Sequence, residues 1–169
     1  MAEVTTALIK ELRETTGAGV MDAKRALDET AGDLKKAAAI IREKGIAAAA
    51  KRSERETSQG VVESYIHGGG RIGVVVELNC ETDFVANTAD FRQLAKDVAM
   101  QVAAMNPKYV SAEERTADDE GLADAEVALM AQPFIREPGK TIGDLVKDVV
   151  ARTGENVRVR RFARFELGR

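Results

Sequence analysis

The sequence predicts an α+β protein: a small helical module first, then a core in which helices pack on one face of a three-stranded antiparallel sheet. Three observations carry this expectation. Apolar residues recur at helical spacing through residues 1–56. Two runs after Gln59 alternate with period 2 on either side of a triple glycine. The late run NVRVRRFARFELG returns to strand composition. Two units are therefore expected, 1–56 with a connecting helix at its end, and 57–169 with the order β-β-α-α-α-β.

In the first unit Val4, Leu8, Ile9 and Leu12 lie on one helical face, and Gly17 and Gly19 interrupt it. A second helix is expected from about Val20 to Glu29, with Met21, Ala23, Ala26 and Leu27 inward. Asp33 is a good N-cap for a third helix, and Gly45 is read as its stop. The alanine-rich run after Gly45 reads as the connecting helix. In the second unit, strands around Gly60–His67 and Arg71–Asn79 form a hairpin across Gly68, Gly69 and Gly70. NCETDFVANT has no period and reads as a loop. A helix starts near Thr88, lined by Phe91, Leu94, Val98, Val102 and Met105, and stops at Asn106-Pro107. Pro133 and Pro138 bracket an irregular segment. Thr141, with Asp144 three residues on, opens the last helix, which Gly154 ends. In the final strand Val157, Val159, Arg161, Ala163, Phe165 and Leu167 are expected on one face. Arg158, Arg160, Phe162, Arg164 and Glu166 are expected on the other, leaving that polar side open or covered by a partner.

Composition removes several functional classes. The chain has 25 Lys and Arg against 28 Asp and Glu, two Tyr, five Phe and no Trp, which suits neither phosphate neutralisation nor base stacking. No direct nucleic-acid partner is expected. Residues 111–130 hold seven of the acids against one base, and that stretch reads as a surface excursion. One cysteine, Cys80, excludes an intrachain disulfide framework, and one histidine, His67, leaves little for a transition-metal site. No window approaches about 18 consecutive apolar residues, so no membrane span and a cytoplasmic setting are expected. Gly68-Gly69-Gly70-Arg71-Ile72-Gly73 has the spacing G-x-G-x-x-G, but a strand follows where dinucleotide binding needs a helix. Gly139-Lys140-Thr141 resembles the tail of a phosphate loop, yet Phe134 stands where its first glycine belongs. Neither a nucleophile–base pair nor a metal spacing appears, so no enzyme, cofactor or catalytic residue is expected.

The informative segment is Asn79–Asn87. By residue type it is either a loop whose Phe84 folds into the core, or an exposed Asp83-Phe84 pair at a loop tip. Here a resemblance adds to the residues. LRETTGAGVMDAKRAL with GDLKKAAAIIREKG, GVVESYIHGGGRIGVVVELNCETDFVAN, and GENVRVRRFARFELG resemble, in order, three stretches of the elongation factor Ts family. The resemblance implies a ubiquitin-associated-like three-helix bundle followed by the α/β core. It also implies guanine-nucleotide exchange on elongation factor Tu. Thr82, Asp83, Phe84 and Val85 correspond to the loop that dislodges Mg²⁺ from the partner's nucleotide site, and Arg13, Val20 and Met21 to the partner-facing residues of the first module. Longer members carry two core subdomains and this chain one, so a homodimer is expected. A different class stays open beside it: a non-catalytic helical adaptor with a dimerising core. A third reading makes Arg158, Arg160 and Arg164 a basic stripe for RNA, against which Glu166 on the same face counts.

Overall fold

The computed structural model describes residues 4–119 and 121–169; of the acidic stretch, Glu120 lies outside the described residues. The first helices are α1 (Thr6–Thr16), α2 (Val20–Glu29) and α3 (Leu34–Ala50). Thr5 caps α1 by accepting from the Leu8 amide at 3.3 Å, and Asp33 caps α3 by accepting from the Lys36 amide at 3.0 Å. Gly17 ends α1 in the left-handed region at φ 70°, its amide donating to the Arg13 carbonyl at 2.8 Å. Leu12, Ala23, Ala26, Leu27 and Ala37 are buried between the three helices. Met21 is not: it is exposed on the opposite side of α2 from Ala23 and Leu27.

Gly45 does not stop α3, which continues five residues beyond it. Its glycine serves a close approach instead. A Cβ there would stand 2.7 Å from Ala151 Cβ on α7 (Ile142–Thr153), so the two helices cross where neither carries bulk. Arg42, one turn earlier, pairs across the same crossing with Asp148 at 3.6 Å and Asp144 at 4.0 Å. The helical module is thus seated on the core through α3 and α7.

The core sheet has the order β1-β2-β5, with β1 (Gln59–His67), β2 (Ile72–Cys80) and β5 (Val157–Glu166) all antiparallel. Three further helices and a small ribbon complete it among the described residues: α4 (Asp83–Ala86), α5 (Ala89–Met105), a one-turn α6 (Asp124–Val127), and the pair β3 (Pro133–Phe134) and β4 (Glu137–Thr141). The proline-bracketed segment is therefore a short antiparallel ribbon rather than irregular chain. The acidic stretch winds through two 3₁₀ turns, pinned where buried Asp119 accepts from Tyr109 at 2.8 Å and pairs with Lys108. Thr88 caps α5, and Phe91, Leu94, Val98 and Val102 enter the core, while Met105 stays exposed where the helix ends at Asn106. Thr141 and Asp144 form the capping box of α7, and Gly154 closes it at φ 74°.

The last strand departs from its expected faces. Arg161 lies opposite Glu77 but Val159 lies opposite Leu78, so Arg160 is an extra residue, a β-bulge. One extra residue inverts every side chain after it. Val157 and Val159 point to the core as expected, but beyond the bulge Phe162, Arg164 and Glu166 follow them, opposite Val76, Val74 and Ile72. Ala163 and Phe165 turn to the outer face, where Phe165 is 72% exposed. The outer face is consequently not a uniform arginine stripe. Arg164 turns under the sheet, donating to the Ala103 carbonyl at 3.3 Å and pairing with Glu166 at 2.8 Å, and Arg161 pairs with Glu77 at 2.7 Å.

Candidate functional site

The segment expected as a loop folds into a single helical turn. Cys80 ends β2 fully buried, and burial pushes its thiol up to about 11, which makes it an inert core group. Its thiol donates to the Thr82 carbonyl at 3.1 Å. Thr82 is the N-cap of α4: its hydroxyl accepts from the Val85 amide at 3.4 Å and its carbonyl from the Ala86 amide at 3.2 Å. Asn87 and Thr88 close the other end. The Asn87 side chain donates to the Asp83 carbonyl at 2.9 Å and the Thr88 hydroxyl to the Val85 carbonyl at 2.8 Å.

Within this turn the side chains divide sharply. Val85 and Ala86 are buried against β1, β2 and α5, whereas Asp83 and Phe84 point out, and Phe84 is 83% exposed. Four consecutive residues on one helical turn cannot share a face. Burial of the Val-Ala pair therefore obliges the Asp-Phe pair to face solvent. A fully exposed phenylalanine on anchored backbone is an apolar group available to a partner; burying it is worth about 1.5–3 kcal/mol.

The turn is also tied to distant chain. The Glu155 carboxylate accepts from the Thr82 amide at 3.0 Å and from its hydroxyl at 2.6 Å. The Glu81 carboxylate accepts from the Asn156 amide at 2.6 Å and reaches Arg55 at 3.5 Å. The buried Asn156 side chain donates to the carbonyls of Ser53 at 3.2 Å and Arg55 at 2.8 Å. The α7–β5 turn thus joins α4 to the chain that leaves the helical module. Sequence reasoning did not single out Glu81, Glu155 or Asn156; the glycine-led polar run Gly154-Glu155-Asn156 was the available signal, but it reads as an ordinary turn.

A second exposed apolar pair lies at the start of α2. Met21 is 60% exposed and Val20 is exposed beside it. Arg13 stabilises the turn that presents them, its Nε donating to the Ala18 carbonyl at 3.2 Å. Between this turn and the core runs a groove of about 670 Å³, lined by Gly17, Gly19, Arg42, Gly45, Lys140 and Arg152, among others. Three of these cations pair with core acids: Arg42 and Lys140 with Asp148, and Arg152 with Asp90 at 2.8 Å. The third apolar surface is the outer face of the sheet, where Phe165, Val62 (71% exposed), Ile66 and Val75 are exposed, with Leu167 exposed just past the end of β5.

His67 sits at the hairpin end with its ring stacked on Tyr65, and Gly68–Gly70 form only the turn into β2. Lys140 pairs with Asp148 and Thr141 caps α7, which accounts for the Gly-Lys-Thr run. Among the described residues no group of His, Cys, Asp and Glu is arranged to hold a metal ion, and no helix is long and apolar enough to cross a membrane.

The family model described as elongation factor TS matches residues 2–119. The elongation factor Ts of Desulforamulus reducens is 49% identical over 197 aligned residues, taking in 99% of this chain and 91% of the relative. That of Heliobacterium modesticaldum is 48% identical, with 98% and 90% covered. That of Caldanaerobacter subterraneus subsp. tengcongensis is 50% identical, with 95% and 94% covered.

Proposed function

The chain belongs to the elongation factor Ts family, whose role lies in translation elongation, and from that premise we propose that it releases GDP from elongation factor Tu by wedging Phe84 beside the partner's nucleotide site. The observation that carries the reading is the 83% exposure of Phe84 on a turn whose next two residues are buried. The reaction is one of binding. A factor that holds the nucleotide-free partner better than the nucleotide-bound one weakens nucleotide binding by the same factor that the nucleotide weakens its own. Accelerating release by ~10⁴ lowers the barrier by roughly 5.5 kcal/mol. A surface ion pair from Asp83, worth at most ~1 kcal/mol, falls short of that. Seating an aromatic ring between partner helices shifts backbone, and the shift displaces Mg²⁺ and the phosphate loop together. Thr82 and Val85 hold the turn, Phe84 inserts, and Asp83 adds negative charge beside the metal. Arg13, Val20 and Met21 supply a second contact on the partner, through the α2 turn.

The test is stopped-flow release of a fluorescent GDP analogue from elongation factor Tu. Strong acceleration by the wild-type protein and a maximal rate about 30-fold lower with Phe84→Ala supports the wedge. No acceleration by the wild type overturns the exchange reading and moves the adaptor reading forward.

The expected homodimer gains a specific surface. Val62, Ile66, Val75 and Phe165 share the open face of the sheet, and a second copy seated there would cover them. Sedimentation should show a dimer that Phe165→Glu dissociates; a wild-type monomer at all concentrations sinks this part of the reading.

A further inference from the structure

We propose that Glu155 is the positioning residue for Phe84: its carboxylate, set at the turn between α7 and β5, fixes the Thr82 cap and thereby the direction in which α4 presents the ring. The proposal rests on the exchange reading above and adds to it the group that aims the wedge. A helix of four residues has too few internal hydrogen bonds to hold itself. Its orientation must come from what grips its ends and its buried face. At the N-terminal end the grip is Thr82, and both polar groups of Thr82 that face outward go to Glu155, the amide at 3.0 Å and the hydroxyl at 2.6 Å. Two bonds from one residue to two oxygens of one carboxylate fix rotation as well as position. With its proton committed to Glu155, the hydroxyl must turn a lone pair to the Val85 amide, which is the capping bond.

Glu155 is well placed to act as a fixed point. Gly154 before it closes α7, and Asn156 after it is buried and bonded through both its amide and its side chain. Among the described residues no Lys or Arg forms an ion pair with the Glu155 carboxylate, so its acceptor capacity is directed at Thr82. The contact joins residues 73 apart in sequence, and the same turn holds the chain leaving the helical module.

The experiment uses the full chain. GDP release from elongation factor Tu is followed over a range of factor concentrations for the wild type, Glu155→Ala and Glu155→Gln, each with and without Phe84→Ala. Glu155→Ala should lower the maximal release rate about tenfold, equivalent to about 1.4 kcal/mol, with the half-saturating concentration changed less than about twofold. Glu155→Gln should recover most of the rate, because the carboxamide oxygen can accept from the Thr82 amide while its N–H donates to the Thr82 hydroxyl, which keeps a second lone pair for the Val85 amide. In the Phe84→Ala background, Glu155→Ala should do nothing further, since its effect runs through the ring. An equal loss in both backgrounds, or no loss in either, overturns the proposal. Amide hydrogen exchange of the free protein separates this from failure of the exchange reading. Loss of Glu155 should loosen the amides of Val85–Thr88 and leave those of α5 unchanged; unaltered protection at Val85–Thr88 overturns the clamp whatever the protein does to GDP. A wild type that leaves GDP release unchanged overturns the exchange reading, and the amide measurement then decides the clamp alone.

Discussion

Val20 and Met21 stand on a bundle whose buried residues are Leu12, Ala23, Ala26, Leu27 and Ala37, while Phe84 stands on a core that joins three strands to α5 and α7. Among the described residues, three of the five buried in the bundle are alanines, which bring helices close but each remove little apolar area from water. The bundle therefore leans on its neighbour, with α3 crossing α7 at Gly45 and Ala151 and Arg42 pairing beyond the crossing. The turn of Phe84 needs no such support, because Val85 and Ala86 belong to the main core and Glu155 holds the cap. Of the two exposed apolar sites, the Phe84 turn is held by the main core and Glu155, and the Val20–Met21 pair stands on a bundle held through the α3–α7 crossing.

The largest expected effect breaks the weaker side of this contrast. Leu27→Ala removes one of two leucines at the centre of the bundle and should cost about 3 kcal/mol. Amide hydrogen exchange should show α1 and α2 opened with β2 and α5 still protected; uniform loosening of both regions would mean that they fold as one unit. Phe84→Ala comes next. It should slow maximal GDP release about 30-fold, or about 2 kcal/mol, while thermal stability moves by less than about 0.5 kcal/mol. A loss of stability on that scale of rate would show the ring to be packed rather than presented. Gly45→Val should cost about 1.5 kcal/mol, since the new side chain meets Ala151. It should raise the concentration of factor needed for half-maximal release and leave the maximal rate near wild type. An unchanged half-saturation point would separate the bundle from partner binding altogether.

The smallest effect sharpens the contrast through pH. The Asp144 carboxyl lies below its ordinary 3.8, held there first by the Thr141 amide, with Lys147 and Arg42 adding charge. A depressed folded value means that the stabilisation is present above 3.8 and is lost as pH falls through the folded value. Asp144→Asn should therefore be less stable than the wild type at neutral pH by about 1 kcal/mol. Thermal melts taken down through the acid range should converge below 3.8. Parallel curves down to the lowest pH would show that the cap contributes through shape and not through charge.

Much of the architecture was legible before any coordinates. The hairpin across Gly68–Gly70, the α5 stripe from Phe91 to Val102, the Thr141–Asp144 box and the helix from Val20 to Glu29 all depend on periods and caps that neighbouring residues carry. Where the reading went astray, the missing information was a contact far away in sequence. Gly45 looks like a helix stop until Ala151 is beside it. Met21 fits an inward stripe until Ala23, Ala26 and Leu27 take the buried face of α2 and leave it on the other. The arginine face of β5 looked continuous because period 2 takes no account of an inserted residue, and only the pairing with β2 shows that Arg160 is extra.

The candidate site divides in the same way. Its residues were named from the sequence, Phe84 above all, but whether the ring points out or in was undecided by residue type. That choice followed from Val85 and Ala86 finding a core to enter, and from Thr82 finding Glu155 on another turn. The sequence by itself determined the fold class and the main helices and strands, because these rest on local periodicity and composition. The tertiary structure alone decided which apolar side chains are left facing solvent, because exposure is what remains after every distant surface has been packed.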